Sequence, residues 1–131
     1  DEAFWGARHT GAWKRDRRGH KERIQVVTPP AQPRVVASKS HLNEATRAFI
    51  DRLGPHTLVQ AGSSLKLCRI AEGRADLYPR LGPTCEWDTG AGHAVLAAAG
   101  GRMETLEGDA VRYGKEDVRN PHFIAYGGRP Q

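Results

Sequence analysis

Polar side chains that could hold an anion fall in three stretches: Lys39, Ser40 and His41; Ser63, Ser64 and Lys66; and Arg80, Glu86 and Asp88. Several cations and hydroxyls with few acids suit a ligand carrying more than one phosphate. In Gly62-Ser63-Ser64-Leu65-Lys66, small residues follow a strand pattern and open a helix pattern. Backbone N–H groups and the helix dipole at such a start face an anion, with Ser63 adding a hydroxyl and Lys66 a charge one turn in. Read alone, the same segment is a serine cap with a solvent-facing lysine. Arg80 stands between Pro79 and Gly82-Pro83, in a loop stiffened by two prolines. A guanidinium so held grips phosphate bidentately, although a surface arginine in a turn has the same local sequence. Asp88 stands where a helix begins. It is a cap by residue type, or a ligand for Mg²⁺, which takes one or two carboxylates together with phosphate oxygens and waters.

The elements that would position these residues alternate. Residues 3–13 read as a strand pair, 23–28 as a β-branched strand ended by Pro29, Pro30 and Pro33, and 34–38 as a second. Asn43 is a good N-cap for a helix to Leu53, with Ala45, Phe49, Ile50 and Leu53 at helical spacing and Gly54-Pro55 as the stop. A strand is predicted at 57–60, a helix at 65–72 with Gly73 as its cap, and a strand at 76–78 closed by Pro79-Arg80. A small-residue helix follows at 88–99, ended by Gly100-Gly101, and late strands at 102–106 and 123–126. From residue 34 onward the order implies an α/β layer with a parallel or mixed sheet. Ligands bind beyond the carboxyl ends of such strands, where the three polar stretches lie.

The length of 131 residues fits one domain, and with 38% hydrophobic and 27% charged residues the class is globular, on the polar side. The longest apolar run, 94–99, is far short of the ~18 residues a membrane span needs. Cys68 and Cys85 show no metal-ligand spacing and read as buried thiols in a reducing compartment. The net charge of +5 makes an anionic partner plausible. Much of the excess sits in the run 14–23, which reads as a solvated hairpin tip turning at Gly19 rather than a nucleic-acid or lipid patch, because no aromatic residue is interleaved in it.

The run Trp87-Asp88-Thr89-Gly90-Ala91-Gly92, with Leu96 and Ala99-Gly100-Gly101 after it, resembles the second signature of the inositol monophosphatase superfamily. That signature is Trp-Asp-x-Ala-Ala-Gly closed by a Gly-Gly pair; Gly90 departs from it. Val36-Ala37-Ser38-Lys39-Ser40-His41, Gly62 through Cys68, Ala71-Glu72-Gly73 and Asp76-Leu77-Tyr78-Pro79-Arg80 are similar to the 3'(2'),5'-bisphosphate nucleotidase (CysQ-type) branch. The resemblance implies a layered sugar-phosphatase-type α/β fold, C-terminal half only. Residues 1–33 would end the sheet of an N-terminal domain, and 34–131 would form the C-terminal subdomain. It implies Asp88 as a Mg²⁺ ligand close to the ribose, and His41, Ser63, Lys66 and Arg80 as the residues holding the nucleotide and its second phosphate. Inositol phosphatases typically carry an acid where Arg80 stands, and a cation there suits a bisphosphate better than a polyol.

The family also needs a Glu-Glu pair and an Asp-Pro-x-Asp-Gly-Thr motif, and this chain has no Asp-Gly dipeptide. With Asp1 at the start and Phe4, Trp5 and Trp13 close behind, the expectation is part of a phosphatase about twice this length, inactive by itself and completed by its N-terminal half. The expected reaction is Mg²⁺-dependent removal of the 3'-phosphate from adenosine 3',5'-bisphosphate, giving AMP. Its setting would be the cytoplasm, with peripheral attachment to the inner membrane and a homodimer left open, and with no nucleic-acid partner. The alternatives are an inositol monophosphatase-type phosphatase and a non-catalytic anion-binding half-domain.

Overall fold

Val35 and Val36 are neighbours in sequence and both wholly buried. Successive strand residues point to opposite faces, so the strand that carries them is covered on both sides. This strand, β4 (Arg34–Ala37), lies inside a five-stranded sheet. The computed structural model describes residues 2–7, 10–37, 43–61, 65–82, 84, 86–114 and 119–128, without the side chain of Trp87. The sheet contains β5 (Thr57–Gln60), β4, β6 (Leu77–Arg80), β8 (Phe123–Tyr126) and β7 (Arg102–Thr105), in that spatial order. β5, β4 and β6 run parallel, and β8 is antiparallel to both of its neighbours. The sheet is therefore mixed, as the alternation of elements implies.

Helix α1 (Glu44–Arg52) packs Ile50 against Val35, Leu77 and Ile124 on one face. Helices α2 (Lys66–Ala71) and α3 (Glu86–Ala98) cover the other, where Leu67, Ile70, Val95 and Leu96 meet Val36, Tyr78, Met103 and Phe123. A second sheet of β1 (Ala3–Ala7), β2 (Gly11–Arg15) and β3 (Lys21–Ile24) adds Ala12 and Ile24 to that same core. The layers run α1, mixed sheet, α2 with α3, antiparallel sheet. Small residues set the spacing. A Cβ on Gly6 would stand 2.7 Å from the Ala98 Cβ, and one on Gly92 would stand 2.9 Å from Leu67 Cδ1. Among the described residues nothing lies within 4 Å of that position at Gly90, where the chain departs from the family signature. Among the described residues no helix is long and apolar enough to cross a membrane.

Local signals place α1 well: Asn43 Oδ1 accepts from Thr46 N at 2.8 Å, and Gly54 takes φ 75°. Several boundaries differ from the sequence expectation by a residue or more, and four bear on the site or the core. β3 ends at Ile24, because Val26 N donates to Ala99 O (3.0 Å) and Gly128 N to Val27 O (3.0 Å), which draws the chain out of its sheet. β6 continues through Pro79 to Arg80, because β8 pairs with it as far as Arg80↔Phe123 while the β4 register holds only Val35↔Leu77. The proline's missing donor thus falls beyond the β4 ladder. α3 starts at Glu86, so Asp88 is its third residue and not a cap. α2 starts at Lys66 itself, with Leu65 as a cap that makes no side-chain bond.

The basic run forms a hairpin between β2 and β3. Asp16 Oδ1 accepts from Arg18 N and His20 N, both at 2.9 Å, and Gly19 turns at φ 83°. Lys14 is the buried member of the run: it binds Glu72 at 3.0 Å and stands 3.7 Å from Glu22 across the hairpin.

Candidate phosphate-binding site

Parallel neighbours end at the same edge of a sheet, so the chain leaving β4, β5 and β6 emerges along one rim. Asn43 ties two of those exits together, its Nδ2 donating to Leu81 O at 2.8 Å while its Oδ1 caps α1. Of the residues expected here, His41 and Ser63 lie outside the described residues, and Lys66, Arg80 and Asp88 lie within them.

Lys66 is 1% exposed. Its ammonium stands 5.5 Å from the centroid of the Tyr78 ring, and among the described residues no carboxylate pairs with it. Burial lowers its pKa from the ordinary lysine value, and repulsion from the Arg80 guanidinium lowers it further. The strand register puts Arg80 two residues after Tyr78, hence on the same face of β6. Arg80 also stands beside the Tyr78 hydroxyl, where it opposes the rise in the phenol's pKa that burial imposes. The Tyr78 ring is itself braced edge-on by Phe123, with centroids 5.9 Å apart and planes at 86°. Two cations are thus gathered around one rigid aromatic ring. The Lys66 charge is costly to bury, and an anion beside the two cations relieves it. Six residues of helix give α2 little dipole, so these side chains rather than its N–H groups make the attraction.

Sequence reading missed Tyr78 as part of this arrangement. The available signal was the period-2 spacing of Tyr78 and Arg80, which the expected strand end at Tyr78 concealed.

Asp88 is exposed in the first turn of α3, together with Glu86. Gly92, one turn further on, lies against Leu67, the residue after Lys66. The crossing of α2 and α3 therefore brings the Asp88 end of one helix to the Lys66 end of the other. Among the described residues no group of three His, Cys, Asp or Glu side chains is placed to hold a metal ion. Asp88 offers a single carboxylate, and the described residues do not complete a divalent-metal site around it. Cys68 is buried and its thiol is pushed up to about 11, chiefly by burial, so it stays protonated at neutral pH. Cys85 lies outside the described residues.

Residues 1–127 match the inositol monophosphatase family. The chain belongs to this family. It is 43% identical over 121 residues to the 3'(2'),5'-bisphosphate nucleotidase CysQ of Escherichia coli strain K12, covering 92% of this chain and 48% of that protein. It is 41% identical over 112 residues to the protein of the same name from Buchnera aphidicola, covering 86% of this chain and 42% of that one. The crystal structure of CysQ from Bacteroides thetaiotaomicron, a bacterial member of the inositol monophosphatase family, superposes with a TM-score of 0.85 at 37% identity. That superposition covers 98% of this chain and 54% of the other. The chain spans about half the length of the curated relatives it matches. In this member of the inositol monophosphatase family, the mixed sheet with its flanking helices is the family fold, and the Lys66–Tyr78–Arg80 group sits on the strand rim where α/β proteins bind ligands.

Proposed function

We propose that this chain supplies the phosphate-gripping half of a Mg²⁺-dependent phosphatase that converts adenosine 3',5'-bisphosphate to AMP. The observation that carries the reading is the buried Lys66 ammonium, crowded by Arg80 and paired with no carboxylate among the described residues. Lys66 and Arg80 hold the phosphate that is not cleaved, and Tyr78 keeps them in place. Anchoring one phosphate holds the nucleotide for reaction at the other, so binding remote from the reacting bond lowers its barrier. Asp88, in the adjoining helix turn, lies towards the phosphate that leaves and contributes one carboxylate to Mg²⁺. The names of the E. coli and Buchnera relatives support the choice of a bisphosphate nucleotide over a polyol phosphate, as does a cation at position 80.

The isolated chain is expected to release no phosphate from adenosine 3',5'-bisphosphate with Mg²⁺ present; measurable release would overturn that part of the reading. In a protein that joins this chain to the remaining family length, Asp88→Asn is expected to lower turnover sharply, and unchanged turnover would remove Asp88 from the metal site. One observation favours a second reading, a non-catalytic anion-binding domain: the described residues hold the cations and no metal-ligating cluster. Titration with the bisphosphate in a metal chelator separates the two. Tight binding that Mg²⁺ does not improve would favour the second reading.

A further inference from the structure

The first turns of α3 are held from outside the helix. Tyr113, between β7 and β8, brings its hydroxyl to 2.7 Å from His93 Nδ1 and donates to Thr89 Oγ1 at 3.2 Å. Its ring tilts against the imidazole with centroids 5.3 Å apart. Asn120 Nδ2 donates to the hydroxyls of Thr84 (3.1 Å) and Thr89 (3.0 Å), and Asn120 N donates to Thr84 O at 2.9 Å. Glu86 accepts from Gly114 N at 3.1 Å. These contacts at 84, 86, 89 and 93 bracket Asp88, and two of the side chains that make them, Thr89 and Asn120, are buried.

The helix has reason to need such support. Gly90 and Gly92 follow Asp88 directly, and glycine leaves a helix backbone more freedom than any other residue. A ligating carboxylate must be held to within a fraction of an ångström, by neighbours that are themselves fixed. The hydroxyl of Tyr113 carries one proton. When that proton is given to Thr89, His93 Nδ1 must carry its own hydrogen and donate to the phenol oxygen. The pair then locks Thr89, the residue next to Asp88. Burial lowers the His93 pKa and so favours the neutral ring.

We propose that Tyr113 is a positioning residue for Asp88, fixing through Thr89 and His93 the helix turn that carries the carboxylate. The proposal rests on the reading of Asp88 as a ligand for a divalent cation shared with a phosphate. The test uses this chain joined to the remaining family length, with adenosine 3',5'-bisphosphate and Mn²⁺, a paramagnetic stand-in for Mg²⁺, and reads bound Mn²⁺ by water-proton relaxation. Tyr113→Phe is expected to weaken Mn²⁺ binding about tenfold, the scale seen when the partner of a metal ligand is removed. Bisphosphate affinity in chelator stays as in the parent chain, and amide exchange over 86–90 quickens. Thr89→Val reproduces the loss, whereas Thr89→Ser, which keeps the acceptor, restores binding. If Tyr113→Phe does not fold, the two Thr89 variants carry the same comparison. Mn²⁺ affinity unchanged in Tyr113→Phe and Thr89→Val but lost in Asp88→Asn overturns the positioning role and leaves the metal reading intact. Mn²⁺ affinity unchanged in Asp88→Asn overturns both.

Discussion

At the carboxyl end of α2, Glu72 buries a carboxylate whose side chain is 2% exposed, and three cations meet it: Lys14 at 3.0 Å, Arg69 at 2.8 Å and Arg74 at 3.1 Å. Glu2 adds a second carboxylate to the same group, 2.9 Å from Arg69. At the amino end of that short helix, Lys66 buries a cation with no carboxylate paired to it among the described residues and a second cation close by. One helix thus carries two buried charges in opposite states. The satisfied one joins α2 to β2 and belongs to the architecture. The other, unpaired with any carboxylate among the described residues, costs stability, and it stands at the rim where open α/β sheets take ligands. A buried charge alone does not single out a candidate site; a buried charge with no counterion among the described residues does.

The largest expected effect falls on the satisfied end. Glu72→Gln removes the most buried carboxylate of the group and leaves Lys14 and Arg69 the more exposed Glu2, at 4.0 and 2.9 Å, so it is expected to cost about 3 kcal/mol of stability, read as a lower urea midpoint. A loss below about 0.5 kcal/mol would show that the network is ornamental and would break the contrast between the two ends. Next comes the opposite substitution at the opposite end. Lys66→Met removes a buried charge that no described carboxylate compensates, so it is expected to raise stability by about 1 kcal/mol while weakening bisphosphate binding tenfold or more. Stability lost together with affinity would mean that Lys66 is structural after all.

A pH titration sharpens the same point. Lys66 titrates below the ordinary lysine value in the free chain, and an anion beside it pulls its pKa back up. Binding therefore takes up a proton, and bisphosphate affinity is expected to fall as pH rises from that lowered pKa towards 10.5. Stability runs the other way: the unfolded chain binds the proton that the folded chain has shed, so folding strengthens across the same window. Lys66→Met should flatten both curves. The smallest effects lie where α3 crosses α2. Gly92→Ala presses on Leu67, next to Lys66, and is expected to cost about 1 kcal/mol. Gly90→Ala meets nothing within 4 Å among the described residues and is expected to add about 0.5 kcal/mol to helix stability. Calorimetric melting of the pair checks both, and the reverse order would contradict the packing described at the phosphate end.

How legible this was depends on the range of the signal. Asn43 capping α1, the span of β5 and the glycine at the end of α1 are local matters of a few residues, and the sequence shows them. The hairpin at Asp16–Gly19 was readable for the same reason. The start of α3 was misplaced by two residues because Glu86, rather than Asp88, opens its first turn. Lys14 and Glu72 are 58 positions apart and Tyr113 and Thr89 are 24 apart. Such pairs are made by packing, so Lys14 read as part of a basic run and Tyr113 as nothing in particular. At the site, Lys66, Arg80 and Asp88 were marked by residue type and by resemblance, and burial in the fold supplied what residue type could not: that no carboxylate among the described residues pairs with the buried Lys66. Tyr78 went unnoticed because Pro79 masked the strand that links it to Arg80.

The most direct measurement is a calorimetric titration of the chain with adenosine 3',5'-bisphosphate and with AMP, in chelator near pH 7, beside the Lys66→Met variant. The account expects the bisphosphate to bind more tightly than AMP, with most of that advantage lost in the variant. Equal binding of the two nucleotides, or an advantage that survives the loss of Lys66, would contradict it.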